Sequence, residues 1–196
     1  MIHTILHDKQ VVLASASPRC EEIFRLLGLS PVIIPADIDE PITSMAPHRQ
    51  VVKHAYNKAH HVATLVCNDS ITIGADTLVV VSNRILGKPA DLEQATEYLR
   101  LLSGITHKVY TGVSIVCGNR SFSGYELSYV SFTRLTEDEI RDYIATREPL
   151  DKAGAYGIQG YGAQFIENIR GCYFNIMGFP INLFYRLLDK YISSNG

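Results

Sequence analysis

Short apolar runs alternate with capped helical patterns along this chain, and that alternation limits its folds more than any other feature. Residues 11–14 read as a buried strand. A helix opens straight after them, with Ser17 as cap, Pro18 in the first turn, and Glu21 and Glu22 on the positive end of its dipole. Gly28 ends that helix. Residues 32–34 read as a second strand, and residues 47–66 as a long helix with apolar Val51, Val52, Ala55, Ala59, Val62 and Val66. Strands are expected at residues 71–73 and 78–81, separated by Gly74-Ala75-Asp76-Thr77. Asp91, with Gln94 three residues on, caps a helix that closes at Gly104. Residues 108–116 and 126–132 form a hairpin pattern turning at Gly118-Asn119. Thr136 and Glu139 make a capping box for a helix to Thr146, residues 147–163 read as an ordered glycine-rich loop, and residues 180–192 as a last helix. The mixture predicts an α/β fold whose sheet holds both parallel and antiparallel pairs.

Composition narrows the partners. A chain of 196 residues, 46% hydrophobic, can build one large domain or two small lobes around a shared cleft. A formal net charge of -2 is a poor match to a duplex-DNA binder, which carries a basic excess, but leaves room for a small anion held by a local cluster of cations. The N-terminus has no basic start followed by an apolar core, and the longest aliphatic stretch, residues 78–81, is too short to span a bilayer. Four cysteines, none in a C-x-x-C pair, predict a reduced cytosolic setting without structural zinc.

Several residues are candidates for chemistry. Ser15-Ala16-Ser17-Pro18-Arg19 carries a strand into a helix N-terminus, where free N–H groups and the dipole favour an anion. An ordinary capped helix with a solvated arginine has the same pattern. Asp76, between two apolar runs, is either a turn aspartate or a carboxylate that is paired or binds a metal. Glu40 ends an acidic run that solvated loops also carry. Lys58 and Lys88 are ordinary surface lysines unless the fold gathers them with Arg19 and Asp76. His54, His60 and His61 share a helix, but no pair has the i, i+4 spacing of a zinc face. The P-loop, dinucleotide-binding and nucleophile-elbow patterns are absent. The residues by themselves support an α/β domain that binds a small anion.

Leu13-Ala14-Ser15-Ala16-Ser17-Pro18-Arg19 closely resembles the opening motif of the Maf family, and Pro35-Ala36-Asp37-Ile38-Asp39-Glu40 its next motif. Asn57-Lys58-Ala59, Gly74-Ala75-Asp76-Thr77, Gly87-Lys88-Pro89 and Leu101-Leu102-Ser103-Gly104 follow in the family's order. Most specific is Glu148-Pro149-Leu150-Asp151-Lys152-Ala153-Gly154-Ala155-Tyr156-Gly157-Ile158-Gln159-Gly160. The resemblance runs from about Val11 to Leu188.

It implies a single Maf-like domain over residues 1–196, with an elongated mixed sheet flanked by helices and two lobes around a cleft, a Maf/ITPase-like fold. It implies hydrolysis of dTTP and UTP, and of modified pyrimidine nucleotides, to the monophosphate and pyrophosphate. Asp76 falls on the family's catalytic acid/base, and Ser15, Glu40, Lys58 and Lys88 on its polar cleft residues. Arg19, Thr77 and Gln159 match the marks of the dTTP/UTP-preferring subgroup. Mg²⁺ or Mn²⁺ is the expected cofactor, held by Asp76 and Glu40 with the phosphates. A nucleoside triphosphate is the expected partner, with no nucleic acid or membrane, and resemblance and base rate point to a cytoplasmic homodimer. The alternative is a regulatory, septum-related protein that binds nucleotides or nucleic acid with little catalysis. Two positions depart from the pattern: Cys20 stands where a second arginine is usual, and Cys172 where serine is. Cys20 is open to two readings, a partly exposed thiolate beside the phosphate site or a small apolar residue packed inward.

Overall fold

The structure, a computed structural model, describes residues 1–194. In chain order the regular elements are α1 (Ile2–Leu6), β1 (Val11–Leu13), α2 (Pro18–Leu26), β2 (Val32–Ile33), α3 (Pro47–Ala63), β3 (Ile71–Val81), β4 (Arg84–Leu86), α4 (Leu92–Leu102), β5 (Thr106–Cys117), β6 (Arg120–Phe132), α5 (Glu137–Ala145), β7 (Ile166–Arg170), α6 (Tyr173–Met177) and α7 (Ile181–Ser193). The strands make one seven-stranded sheet in the order β2-β1-β3-β5-β6-β7, with β4 paired to β3. β1 runs parallel to β2 and β3, whereas the β3/β4 and β6/β7 pairs are antiparallel. The fold is therefore mixed α/β, with helices flanking a central sheet.

The chain divides into two compact units. The first comprises Met1–Asp76, Thr111–Glu126 and the C-terminal segment from Gly178; the second comprises Thr77–Tyr110 and Leu127–Met177. In the first unit Val12, Ala14 and Val62 are fully buried with Ile34, Ala36 and Val66 packed on them. Phe24, Phe179 and Phe184 form a second apolar group, with ring centroids 4.9–5.7 Å apart. The second unit closes around Leu86, Leu99, Leu102, Val109, Val130 and Ile140.

Local chemistry explains four of the helix ends. The Asp91 side chain accepts from the Gln94 N–H at 2.8 Å at the start of α4. At α5 both halves of the capping box form between Thr136 and Glu139. Gly28 and Gly104, after α2 and α4, take the left-handed conformation, at φ 67° and 68°. One expected break is absent. Residues 71–81 form a single eleven-residue strand, so Asp76 lies inside β3 and is not a turn aspartate.

The reason is Gly74. A Cβ there would lie 2.1 Å from the Ala55 carbonyl oxygen and 2.8 Å from the Ala59 nitrogen. Gly112 on β5 repeats the arrangement, with a Cβ meeting the Val51 carbonyl oxygen at 2.3 Å. Helix α3 thus rests backbone to backbone on two glycines of neighbouring strands, and Gly74 marks a close approach within the strand.

In the second unit His107 lies 2.7 Å from the Tyr156 hydroxyl through Nε2 and is 1% exposed. Burial lowers its pKa to about 4. An unfolded chain binds a proton at His107 below about pH 6.5, while the native chain resists it down to about 4. The native state should therefore lose stability as pH falls through that window, by up to about 3 kcal/mol. Urea unfolding at pH 7 and pH 4.5 checks this, with His107→Asn expected to flatten the difference.

Candidate active site

Three parallel strands of the first unit deliver polar residues from the same end. After β1 the chain passes through Ser15 and Ser17 into α2, and the Ser17 N–H donates to the Ser15 hydroxyl at 3.1 Å. After β2 it runs on to Glu40. β3 is in register with β1, Leu13 opposite Ile73, and the Ala14 N–H donates to the Ile73 carbonyl at 2.7 Å. Asp76 therefore lies just beyond the line where β1 gives way to Ser15. The carboxyl ends of parallel strands are where open α/β sheets bind ligands.

Strand alternation puts Gly74 and Asp76 on the same face of β3, the face that α3 covers. His54 and Lys58, spaced i, i+4, share one side of α3 and both reach Asp76. His54 Nδ1 is 3.0 Å from Asp76 Oδ2, and the two side chains are only 6% and 10% exposed. Lys58 Nζ donates to Asp76 Oδ1 at 3.3 Å and to the Ala75 carbonyl at 3.2 Å, and it also pairs with Glu40 Oε1. A lysine thus bridges two carboxylates just past the parallel β1/β3 pairing, and a buried histidine closes the cluster behind one of them.

The predicted residues fall into two groups. Ser15, Arg19, Glu40, Lys58 and Asp76 belong to the first unit, and Glu40, Lys58 and Asp76 are in direct contact there. Thr77, Lys88 and Gln159 belong to the second. Thr77 follows Asp76 on β3 and so faces the opposite side of the strand. Lys88 is exposed just after β4, and Gln159 is half-buried in the glycine-rich loop. That loop is ordered, as expected, and is built from three short 3₁₀ turns.

The Glu148 carboxylate organises the loop, accepting from the Tyr143 hydroxyl and from the Tyr161 and Gly162 N–H groups at 2.9–3.2 Å. Gly160 takes the left-handed conformation, at φ 75°, and a Cβ there would also meet Glu148 Oε2 at 2.6 Å, so glycine suits the residue after Gln159. The Gly154 N–H donates to the Gly87 carbonyl at 3.0 Å, which ties the loop to the segment carrying Lys88.

Cys20 packs inward. It is 3% exposed and its Sγ lies 3.8 Å from the Gly178 carbonyl oxygen. Burial pushes the thiol pKa up, against the opposing effects of Ser15, Ser17, Arg19 and Lys58, so the exposed-thiolate reading does not hold. Cys20→Arg should therefore not lower the Michaelis constant for UTP. It should cost about 2 kcal/mol of stability, limited by the ability of the long stem to carry its charge outward. Urea unfolding and steady-state kinetics of the variant read both quantities.

His54 and Glu148 make contacts that their sequence patterns do not assign: His54 stands among the helix histidines and Glu148 opens the longest motif, yet neither pattern names a partner. A search for paired histidines passes over His54, because its i+4 partner is Lys58 and not another histidine. Among the described residues no three His, Cys, Asp or Glu side chains form a ready metal site. The hard oxygen donors of Glu40 and Asp76 fit Mg²⁺ or Mn²⁺ in the mode where one or two carboxylates share the ion with substrate phosphates, and not an all-protein cage. Among the same residues no helix is long and apolar enough to cross a membrane.

Comparison with known proteins gives a consistent picture. The family described as Maf-like protein matches residues 10–191. A dTTP/UTP pyrophosphatase of Bacillus cereus (strain ATCC 10987 / NRS 248) is 45% identical over 184 residues, which is 93% of this chain and 90% of that protein. Proteins of the same name from Bacillus anthracis (strain CDC 684 / NRRL 3495) and Bacillus thuringiensis subsp. konkukian (strain 97-27) are each 44% identical over 93% of this chain and 96% of their own length.

Proposed function

Because the chain belongs to the Maf-like protein family, we propose that it is a nucleoside triphosphate pyrophosphatase that hydrolyses dTTP and UTP to the monophosphate and pyrophosphate. The observation that carries the reading is the Glu40–Lys58–Asp76 cluster just past the point where the parallel pairing of β1 with β3 ends, in a chain 45% identical to a pyrophosphatase of that specificity. A regulatory protein without turnover has no need of two carboxylates gathered on a largely buried lysine, an arrangement costly to desolvate.

The residue types suit the chemistry. Water attacks the α-phosphorus in line while pyrophosphate leaves, and negative charge on the phosphate oxygens has to be neutralised. Asp76 takes the proton from the attacking water. Arg19, Lys58 and Lys88 neutralise the phosphates, together with Ser15 and the N–H groups at the start of α2. Asp76 and Glu40 would hold a bound Mg²⁺ or Mn²⁺, which supplies charge neutralisation at the phosphate oxygens. Thr77 and Gln159 read the nucleobase; the Gln159 amide has both a donor and an acceptor for a pyrimidine edge. The protein acts in the cytoplasm, and a homodimer is its expected assembly.

A panel of nucleoside triphosphates assayed for pyrophosphate with Mg²⁺ or Mn²⁺ tests the proposal. UTP and dTTP should be preferred over the purine nucleotides. Gln159→Leu should lower kcat/KM for UTP and dTTP by about 10- to 100-fold, the value of a base-edge hydrogen bond whose partner stays buried, and leave the purine nucleotides less affected. An equal loss for every nucleotide would place Gln159 in structure or phosphate binding instead.

A further inference from the structure

We propose that His54 is a positioning residue for Asp76, its Nδ1–H fixing the carboxylate in the orientation that water activation needs. The inference rests on the reading of Asp76 as proton acceptor. It starts from the two hydrogen bonds to that carboxylate, one on each oxygen. In the proposed arrangement His54 Nδ1 carries the proton and donates to Oδ2, because a carboxylate that is to take a proton from water can only accept.

The two donors are not equivalent. Lys58 Nζ is shared among Glu40, Asp76 and the Ala75 carbonyl, and an incoming triphosphate competes for its charge. A lysine drawn to phosphate loosens its hold on Oδ1 at the moment Oδ1 is needed. Among the described residues His54 pairs with Asp76 as its one carboxylate; it is 6% exposed and stands on the segment of α3 that rests on Gly74 and Gly112. It keeps Oδ2 engaged while Oδ1 turns to water. A group locked by packing and by one hydrogen bond is what holds a catalytic side chain within the tolerance of the reaction.

Steady-state kinetics of two variants and one spectroscopic reading test this. His54→Leu should lower kcat for UTP by roughly 10- to 100-fold with KM changed less than about threefold, the usual cost of removing an outer partner of a catalytic group. His54→Asn sets an amide N–H where Nδ1 stood and should recover most of that loss. If His54→Leu fails to fold, His54→Gln takes its place, since its amide reaches the Nε2 position and should not rescue. In the wild-type protein, free of metal and substrate, ¹⁵N chemical shifts should report a protonated Nδ1.

Wild-type kcat in His54→Leu, equal losses in the Asn and Leu or Gln variants, or a bare Nδ1 would each overturn the inference. A wild-type protein with no activity on UTP or dTTP would instead overturn the proposed function.

Discussion

Asp76→Asn should lower the turnover of UTP by about 10²- to 10⁴-fold while leaving the fold intact. The amide has the shape of the carboxylate but cannot take a proton from water and brings no negative charge for a metal ion. Its effect on the structure is small for a specific reason. Asp76 accepts from Lys58 on one oxygen and from His54 on the other. In the variant the amide oxygen can keep the lysine, and the amide NH₂ can donate to His54 once the imidazole moves its proton from Nδ1 to Nε2. Both contacts to the side chain at position 76 can then persist, so the melting temperature should move by only a few degrees. Kinetics on the purified variant, with melting as a control, checks both halves. Near-normal turnover would remove Asp76 from the mechanism.

Gly74→Ala should be among the most damaging single-methyl changes in the protein, at about 4 kcal/mol or more. The added Cβ would sit 2.1 Å from the Ala55 carbonyl oxygen and 2.8 Å from the Ala59 nitrogen, and both obstacles are backbone. No rotamer relieves the clash, so α3 has to lift away from β3. Lifting is resisted at Gly112, where the same helix meets β5 with Val51 in equally close approach. It would also draw His54 and Lys58 off Asp76, so whatever protein still folds should lose turnover as well as stability. Urea unfolding measures the first effect. A loss below about 1 kcal/mol would mean that the helix has room to move and that this contact does not seat the site.

The same contact explains what the sequence could and could not disclose. Element ends set by neighbouring residues were legible: the Asp91 and Thr136 caps and the left-handed Gly28 and Gly104 all have local causes. β3 was not legible as one strand, because glycine and aspartate are poor strand residues and Gly74 is justified only by a helix about twenty positions earlier. α1, β7 and α6, each five residues long, are too short to display a period. At the site, motif resemblance points to Asp76, Glu40 and Lys58, and the structure puts Lys58 in contact with both carboxylates. The role of His54 is not legible in the sequence because its partner is a carboxylate on another element, which no spacing within α3 encodes. Glu148 had the same disadvantage, with its main partners up to fourteen residues away across a glycine-rich loop.

The central claim is that this chain cleaves pyrimidine nucleoside triphosphates between the α- and β-phosphates by attack of water on the α-phosphorus. Hydrolysis of UTP in ¹⁸O-labelled water with Mg²⁺, followed by mass spectrometry of the products, tests it directly. The predicted result is UMP carrying one labelled oxygen together with unlabelled pyrophosphate. UDP with labelled orthophosphate, or UMP with the label in pyrophosphate, would contradict it.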